Sequence, residues 1–175
     1  MENGKRNILI TEEQIQNRIK ELGAEISSHY EGKKLYVLSL LRGSFIYTAD
    51  LVRQITVPTK IGFMTTSSYG HNEVSSGDVK IVHDIPDDIK GFDVLVVDDI
   101  VDTGITMKFV LEHAKSLGAN SVKSCVLLDK PERRKADIKP DFCCFEIPDV
   151  FVVGYGLNYG DYYRNIPYVF NWEQN

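Results

Sequence analysis

Residues 93–106 read Asp-Val-Leu-Val-Val-Asp-Asp-Ile-Val-Asp-Thr-Gly-Ile-Thr. The apolar, β-branched residues up to Val97 are typical of a buried strand, and the polar residues that follow indicate its carboxyl end. Two adjacent carboxylates, Asp98 and Asp99, come next, Asp102 follows three positions later, and a Thr-Gly-Ile-Thr run leads into a helix. Ligands of open α/β sheets bind at the carboxyl ends of strands, and a helix N-terminus offers free N–H groups to an anion. The segment therefore predicts a site that combines acidic groups with a phosphate cradle.

Composition indicates an ordinary globular protein. The chain has 175 residues, 43% of them hydrophobic and 26% charged, which fits one domain spanning residues 1–175. A net charge of −5 gives no general attraction to nucleic acid or to an anionic membrane surface. No run reaches membrane-spanning length and the N-terminus lacks a signal-peptide core, so we expect a cytoplasmic protein. The three cysteines, of which Cys143 and Cys144 should face opposite sides of a strand, are expected to be reduced thiols.

The order of predicted elements indicates the fold class. Predicted helices cover 11–29, a stretch from 44 to about 54, and 107–117, where Met107, Val110, Leu111, Ala114 and Leu117 share one face. Predicted strands cover 35–41, 60–66, 79–82, 92–97, 122–128, 141–145 and 150–154, and the polar segment 67–77 is predicted to be a mobile loop. Strands that alternate with helices favour an α/β fold with a mostly parallel central sheet flanked by helices. The N- and C-terminal segments are expected to form a small hood over the carboxyl edge of that sheet.

Other classes of protein share parts of this pattern. Receiver domains and magnesium phosphatases also carry an acidic pair after an apolar strand, but the Thr-Gly-x-Thr run at a fixed spacing adds a second, independent signal. The sequence has no Gly-Lys-Ser/Thr phosphate loop and no Gly-x-Gly-x-x-Gly after a strand. Nucleotide hydrolysis and dinucleotide redox chemistry are therefore disfavoured.

The segment 93–106 resembles the signature of type I phosphoribosyltransferases, which bind 5-phosphoribosyl-1-pyrophosphate (PRPP). The resemblance implies that Asp98 and Asp99 hold the ribose hydroxyls. It also implies that the backbone and hydroxyls of the loop bind the 5′-phosphate, through Thr103, Gly104, Ile105 and Thr106. The acidic residue Asp102 is similar to the 6-oxopurine, or hypoxanthine–guanine, branch of the family. In that branch it is the catalytic residue beside purine N7.

Further motifs resemble the same branch over roughly residues 36–167. Leu41-Arg42-Gly43-Ser44 is similar to the loop that receives pyrophosphate, in which the peptide before Arg42 is cis, and Arg164 lies where the family has another pyrophosphate-binding arginine. Ser68 and Tyr69 resemble the pair in the family's catalytic flap, which closes over the reaction centre and excludes water.

The purine-binding residues are implied by two other motifs. Leu127-Leu128-Asp129-Lys130-Pro131 places Lys130 where the family donates to the purine O6 atom. The segment from Pro148 to Tyr159 resembles the base-binding segment, in which Phe151 stacks on the purine and the Val152 backbone pairs with its edge.

Two positions depart from the usual pattern of the branch. The acidic pair is Asp98-Asp99 where Glu-Asp is more common, and Asn158 stands where the family commonly has an aspartate that binds magnesium. The resemblance implies a Mg²⁺ cofactor near Asp98, Asp99 and Asn158. Asn158 keeps an oxygen ligand but lacks the negative charge.

The resemblance implies transfer of the 5-phosphoribosyl group from PRPP to hypoxanthine or guanine, which gives IMP or GMP and pyrophosphate. Two alternatives stay open: a xanthine-preferring or broad 6-oxopurine enzyme, and an RNA-binding regulator on the same fold. The absence of a basic stripe disfavours the regulator. The expected partners are PRPP and a 6-oxopurine base, without nucleic acid or membrane, in a homodimer or homotetramer.

Overall fold

The computed structural model describes residues 5–68 and 79–173. These residues form a six-stranded sheet in the order β4-β3-β2-β5-β6-β7 and a two-stranded sheet of β1 and β8. The strands are β1 (Lys5–Ile10), β2 (Leu35–Leu41), β3 (Thr59–Ser68), β4 (Val79–His83), β5 (Asp93–Val101), β6 (Ser121–Asp129), β7 (Phe142–Glu146) and β8 (Val169–Glu173). The helices are α1 (Glu12–His29), α2 (Phe45–Val52), α3 (Ile105–Ser116) and a 3-10 turn at Pro131–Arg133.

The large sheet is parallel except for its edge strand β4, and helices cover both faces. Residues of α1 and α2 pack on one face, and residues of α3 pack on the other. Alternate residues of a strand point to opposite faces, so β5 contributes Leu95 and Val97 to the first core and Val94 and Val96 to the second. The predicted α/β fold with a mostly parallel sheet is confirmed.

Helix α1 begins as predicted from its capping box. The Thr11 hydroxyl accepts a hydrogen bond from the Gln14 backbone N–H at 3.2 Å, and the Gln14 side chain accepts one from the Thr11 N–H at 2.9 Å. This exchange satisfies two N–H groups that the first turn would otherwise leave without partners. The predicted apolar stripe is buried against the sheet at Ile15, Ile19, Leu22 and Ile26.

The strand of residues 93–101 is longer than predicted. Its pairing with β2 ends at the Ser39–Val97 pair, whereas its pairing with β6 continues to the Val101–Asp129 pair. The prediction that the strand ends before the acidic pair was wrong, because β6 continues to supply backbone partners to residues that are polar. Within the described part of the chain, the segment from Asp98 to Val101 therefore pairs with β6 and not with β2.

Two smaller predictions were also wrong. Residues 150–154 do not form a strand, because Gly154, Tyr155 and Gly156 all have positive φ values, of 101°, 49° and 100°, which turn the chain. Leu117 was predicted to lie on the buried face of α3 but is 42% exposed, because it is the residue that ends the helix before Gly118.

The two neighbouring cysteines lie on opposite faces of the large sheet. Cys144 packs in the core on the α1 side of the sheet and Cys143 against the core on the α3 side, as predicted.

Strands β1 and β8 pair antiparallel and join the two ends of the described chain, while the single domain and its hood stay predictions. Within residues 5–68 and 79–173, no helix has the length and apolar character needed to cross a membrane.

Core packing makes a stability prediction. Ile26→Ala should lower the free energy of unfolding by about 2–5 kcal/mol, because the fully buried side chain leaves a cavity between α1 and the sheet. Ile8→Ala is the matched control, since Ile8 is 50% exposed and its loss should cost no more than about 0.5 kcal/mol. Urea denaturation measures both values, and equal losses would contradict the packing described here.

Candidate active site

Among the described strands, β6 and not β2 pairs with the part of β5 that carries the acidic pair. The Asp98 carboxylate accepts a hydrogen bond from the Asp99 backbone N–H at 2.9 Å, and the Asp99 carboxylate accepts one from the Ile100 N–H at 2.9 Å. In each case, the hydrogen bond from the backbone N–H of the next residue fixes the orientation of the carboxylate. Both side chains keep some exposure, so their remaining oxygen lone pairs can accept from a ligand.

The electrostatics of this pair favour a ligand with donors or positive charge. Burial and the neighbouring Asp99 charge raise the pKa of Asp98 well above its usual range. Burial also raises the pKa of Asp99, although hydrogen bonds from Asp98 and the Ile100 N–H and the positive charge of Arg164 oppose the shift. Hydroxyl groups or a cation would therefore stabilise the ionised pair.

The loop after β2 lies against this pair. The Leu41–Arg42 peptide is cis, as the resemblance implies. A Cβ atom built on Gly43 would overlap the Asp99 carboxylate, and one built on Gly156 would overlap the Gly43 carbonyl oxygen. Only glycine at position 43 permits this approach of the backbone to Asp99.

Backbone N–H groups from the segment after β6 donate hydrogen bonds to the loop between β5 and α3. The Thr103 carbonyl accepts hydrogen bonds from the backbone N–H groups of Lys135 at 2.9 Å and Ala136 at 3.0 Å. Gly104 has a φ of 80°, caps the N-terminus of α3, and accepts from the Lys108 N–H at 2.9 Å. The first N–H groups of α3 have no partners within the helix, so this end of the loop suits an anion.

The predicted purine-binding residues lie beyond the end of β6. Lys130 is only 6% exposed, and its backbone N–H donates to the Val101 carbonyl at 2.9 Å, next to Asp102 in the chain. Its ammonium nitrogen lies 3.7 Å from an Asp149 carboxylate oxygen. Phe151 is 59% exposed and meets the Tyr159 ring edge-on at 5.7 Å between centroids, whereas Val152 is buried.

Sequence reasoning missed an arginine in this region. Arg133 Nε lies 3.2 Å from an Asp102 carboxylate oxygen, and Arg133 Nη1 lies 3.7 Å from Asp149. The Asp102 oxygen is buried and has no hydrogen-bond partner of good geometry among the described residues. The signal was the charged run Pro-Glu-Arg-Arg after Lys130, but the sequence does not tell which arginine points toward Asp102.

The remaining predicted residues are placed less closely together. Arg164 Nη1 donates to the Gly156 carbonyl at 2.6 Å, and the charge of Arg164 acts on Asp99. The Asn158 amide donates to the Gly160 carbonyl, and no hydrogen bond joins Asn158 to the acidic pair in the described part of the chain. Only the backbone of Ser68 is described, at the end of β3, and Tyr69 with the rest of the predicted flap lies outside the described residues.

Comparisons with known proteins agree with this geometry. The phosphoribosyl transferase domain family matches residues 9–160. Hypoxanthine-guanine phosphoribosyltransferase of Bacillus subtilis (strain 168) is 47% identical over 162 residues, which are 93% of this chain and 90% of the relative. The chain therefore belongs to the phosphoribosyl transferase domain family.

Two solved structures have the same fold. A hypoxanthine phosphoribosyltransferase from Staphylococcus aureus superimposes with a TM-score of 0.92 at 44% identity, over 95% of this chain and 91% of that one. A mutant of the Trypanosoma cruzi hypoxanthine phosphoribosyltransferase, in a ternary complex with substrates, gives a TM-score of 0.90 at 39% identity, over 99% of this chain and 97% of that one.

The close approach of Gly43 to Asp99 gives a prediction. Gly43→Ala should reduce the rate of phosphoribosyl transfer by roughly 10²-fold, because the new Cβ must displace the Asp99 carboxylate or the loop. Gly91→Ala is the control: it strains a positive φ of 76°, but its Cβ meets no atom within 4 Å. Near-normal activity in Gly43→Ala, measured on enzyme with wild-type secondary structure, would contradict the described packing.

Proposed function

We propose that this enzyme transfers the 5-phosphoribosyl group of PRPP to hypoxanthine or guanine, producing IMP or GMP and pyrophosphate in purine salvage. The observation that carries the proposal is the placement of Lys130 and Asp102 at adjoining strand ends. The buried ammonium of Lys130 can only donate, and the carboxylate of Asp102 can only accept while ionised. A 6-oxopurine offers the matching acceptor at O6 and a proton on its imidazole ring.

The ribose-phosphate part of the proposal rests on the end of β5. We infer that Asp98 and Asp99 accept from the ribose 2′- and 3′-hydroxyls, whose protons also relieve the repulsion between the two carboxylates. The 5′-phosphate would bind the loop from Asp102 to Thr106, including Thr103, Gly104 and Ile105. The first N–H groups of α3 support that assignment because they have no partners within the helix, although the Ile105 N–H donates to the Thr103 hydroxyl at 3.4 Å.

The leaving pyrophosphate would bind on the side of the acidic pair where the loop at Gly43 lies. We assign pyrophosphate to the backbone at Arg42 and Gly43 and to the guanidinium of Arg164, because Gly43 lies against Asp99 and the positive charge of Arg164 acts to lower the pKa of Asp99. Ser68 and Tyr69 stay predictions as the flap residues that would exclude water from the reaction centre.

The base would lie between Phe151 and the end of β6. An exposed ring such as Phe151 can stack on a purine, and the adjacent Val152 backbone can pair with the base edge.

In the reaction, the bond from ribose C1′ to pyrophosphate breaks and pyrophosphate keeps the electron pair, while purine N9 forms the new bond to C1′. The base loses a proton, which we assign to Asp102 as acceptor beside N7, and Lys130 balances the charge at O6.

Magnesium is the cofactor that the family implies. Among the described residues, no group of three or more acidic, histidine or cysteine side chains could hold a metal. Mg²⁺ commonly binds through one or two carboxylates together with substrate phosphates, and Asp98 and Asp99 fit that donor set. Asn158, whose amide donates to the Gly160 carbonyl, stays a prediction as a further oxygen ligand. Magnesium would neutralise part of the charge on the departing pyrophosphate.

The alternatives from the sequence are less well supported. The relatives at 45–47% identity are named for hypoxanthine or for hypoxanthine and guanine, which favours these bases over a preference for xanthine. Nothing in those names suggests an RNA-binding regulator. A cytoplasmic location stays a prediction. Exposed Ile61 and Phe63 on one face of β3 support the proposed homodimer or homotetramer, because exposed apolar side chains on one face are typical of interfaces.

Steady-state kinetics with four bases tests the proposal. With PRPP and magnesium, hypoxanthine and guanine should each yield one pyrophosphate per nucleotide formed. Adenine should be used roughly 10⁴-fold less efficiently, because its 6-amino group presents donors to the Lys130 ammonium. Adenine turnover within tenfold of hypoxanthine would rule out the assigned base site.

Asp102→Asn tests the assigned proton acceptor. The amide cannot accept the proton, so kcat should fall by roughly 10²–10⁴-fold while the KM for PRPP stays near the wild-type value. Asp137→Asn is a suitable control, because Asp137 is an exposed carboxylate in the loop after β6. A wild-type kcat in Asp102→Asn would reduce Asp102 to a structural residue of the loop.

Asn158→Asp tests whether magnesium enters the site already bound to PRPP. With only an amide at position 158, free enzyme should bind magnesium weakly, and activity should follow the magnesium–PRPP complex. The added carboxylate should tighten magnesium binding to the free enzyme, seen by calorimetry, and lower the magnesium needed for half-maximal rate. Superimposable magnesium titrations of the two proteins would remove Asn158 from the site.

A further inference from the structure

Arg134, which follows Arg133 in the charged run after Lys130, forms hydrogen bonds with three parts of the structure. Its guanidinium donates to the Asp129 carboxylate, to the Ile138 carbonyl, and through Nε to the Asp102 carbonyl at 3.2 Å. A guanidinium is planar and its donors have fixed directions, so three acceptors in different elements determine its position. Arg134 therefore links the end of β6 to the first residue of the proposed phosphate loop.

The partner of Arg134 is a buried carboxylate. Asp129 is the last residue of β6 and is 5% exposed, and its own carbonyl accepts from the Ile147 N–H at 2.9 Å. The Arg134 side chain is 15% exposed. An ion pair this far from water gains little net stability, because desolvation offsets the attraction. Stability alone therefore gives little reason for its presence beside the loop.

The residues after Arg134 complete the same support. The backbone N–H groups of Lys135 and Ala136 both donate to the Thr103 carbonyl. A Cβ atom built on Gly104 would lie 2.8 Å from Arg134 Cδ, so the stem of Arg134 packs directly on the loop. The carbonyls of Asp102 and Thr103 thus both accept hydrogen bonds from residues 134–136, which lie outside the loop. With its carbonyls held outward, the loop leaves the N–H groups at the start of α3 for an anion.

We propose that Arg134, aimed by Asp129, is a positioning residue that holds the loop from Asp102 to Gly104 in the shape that binds a phosphate monoester. This inference rests on the proposed function, which supplies the 5′-phosphate as the ligand of that loop. Arg134 acts from behind the loop, through the backbone, and contributes to affinity for the phosphate without touching it.

Two ligands that differ only in the phosphate measure this contribution. IMP and inosine share the base and the ribose, so the ratio of the Kd for inosine to the Kd for IMP reports the phosphate alone. Arg134→Met keeps much of the apolar stem but removes all three hydrogen bonds. This change should lower the ratio by roughly tenfold or more, since small displacements of a prearranged site are costly. The Kd for inosine should change by less than about threefold.

Three further variants separate positioning from charge and from general destabilisation. Arg134→Lys keeps the charge but not the planar fork, so its ratio should lie between those of wild type and Arg134→Met. Asp129→Asn keeps an oxygen acceptor and should lower the ratio by a smaller factor, which provides a test even where Arg134→Met folds poorly. Lys139→Met removes an exposed cation from the same loop and should leave the ratio unchanged.

The outcomes distinguish this inference from the proposed function. A wild-type ratio near one would contradict the phosphate site itself, and the inference with it. A large wild-type ratio that Arg134→Met leaves unchanged, in folded protein, would overturn only the role of Arg134. Full recovery in Arg134→Lys would show that charge suffices and would overturn the bracing by three hydrogen bonds.

Discussion

The site depends on the unequal pairing of β5 with its two neighbours. Up to Val97 the strand has a parallel partner on both sides, and beyond that point β6 continues as a partner whereas β2 does not. The last four residues are therefore rigid on one side and open on the other. Asp98 and Asp99 lie in this segment, where the backbone fixes each carboxylate and the open side leaves room for the loop at Gly43.

Charges at this edge are arranged at some cost to stability. The raised pKa of Asp98 means that the folded protein holds this proton more tightly than the unfolded chain. The contribution of Asp98 to stability is therefore fully present below the ordinary pKa of aspartate and is lost as pH rises through the raised value. Lys130, Arg133 and Asp149 form a second charged group, in which Lys130 and Arg133 each lie 3.7 Å from an Asp149 carboxylate oxygen. Such arrangements are typical of sites that bind charged ligands rather than of structural cores.

Local signals in the sequence were sufficient for the fold and for the order of the site motifs. The capping box at Thr11 and the apolar run before Asp98 depend on neighbouring residues, so both were predictable. The failures involve local backbone geometry in one case and contacts between residues far apart in the sequence in the others. The strand predicted at 150–154 is broken by successive positive φ values, and the continuation of β5 depends on β6. Arg134 was missed because its three acceptors come together only in the folded chain.

We propose that ribose binds the open edge of β5 while phosphate binds the loop that follows. A crystal structure with IMP tests it most directly. The account predicts ribose hydroxyl oxygens within about 2.6–3.2 Å of the Asp98 and Asp99 carboxylates, and the 5′-phosphate in contact with the N–H groups from Thr103 to Thr106. A nucleotide bound with its ribose away from the acidic pair, or with its phosphate outside this loop, would contradict the account.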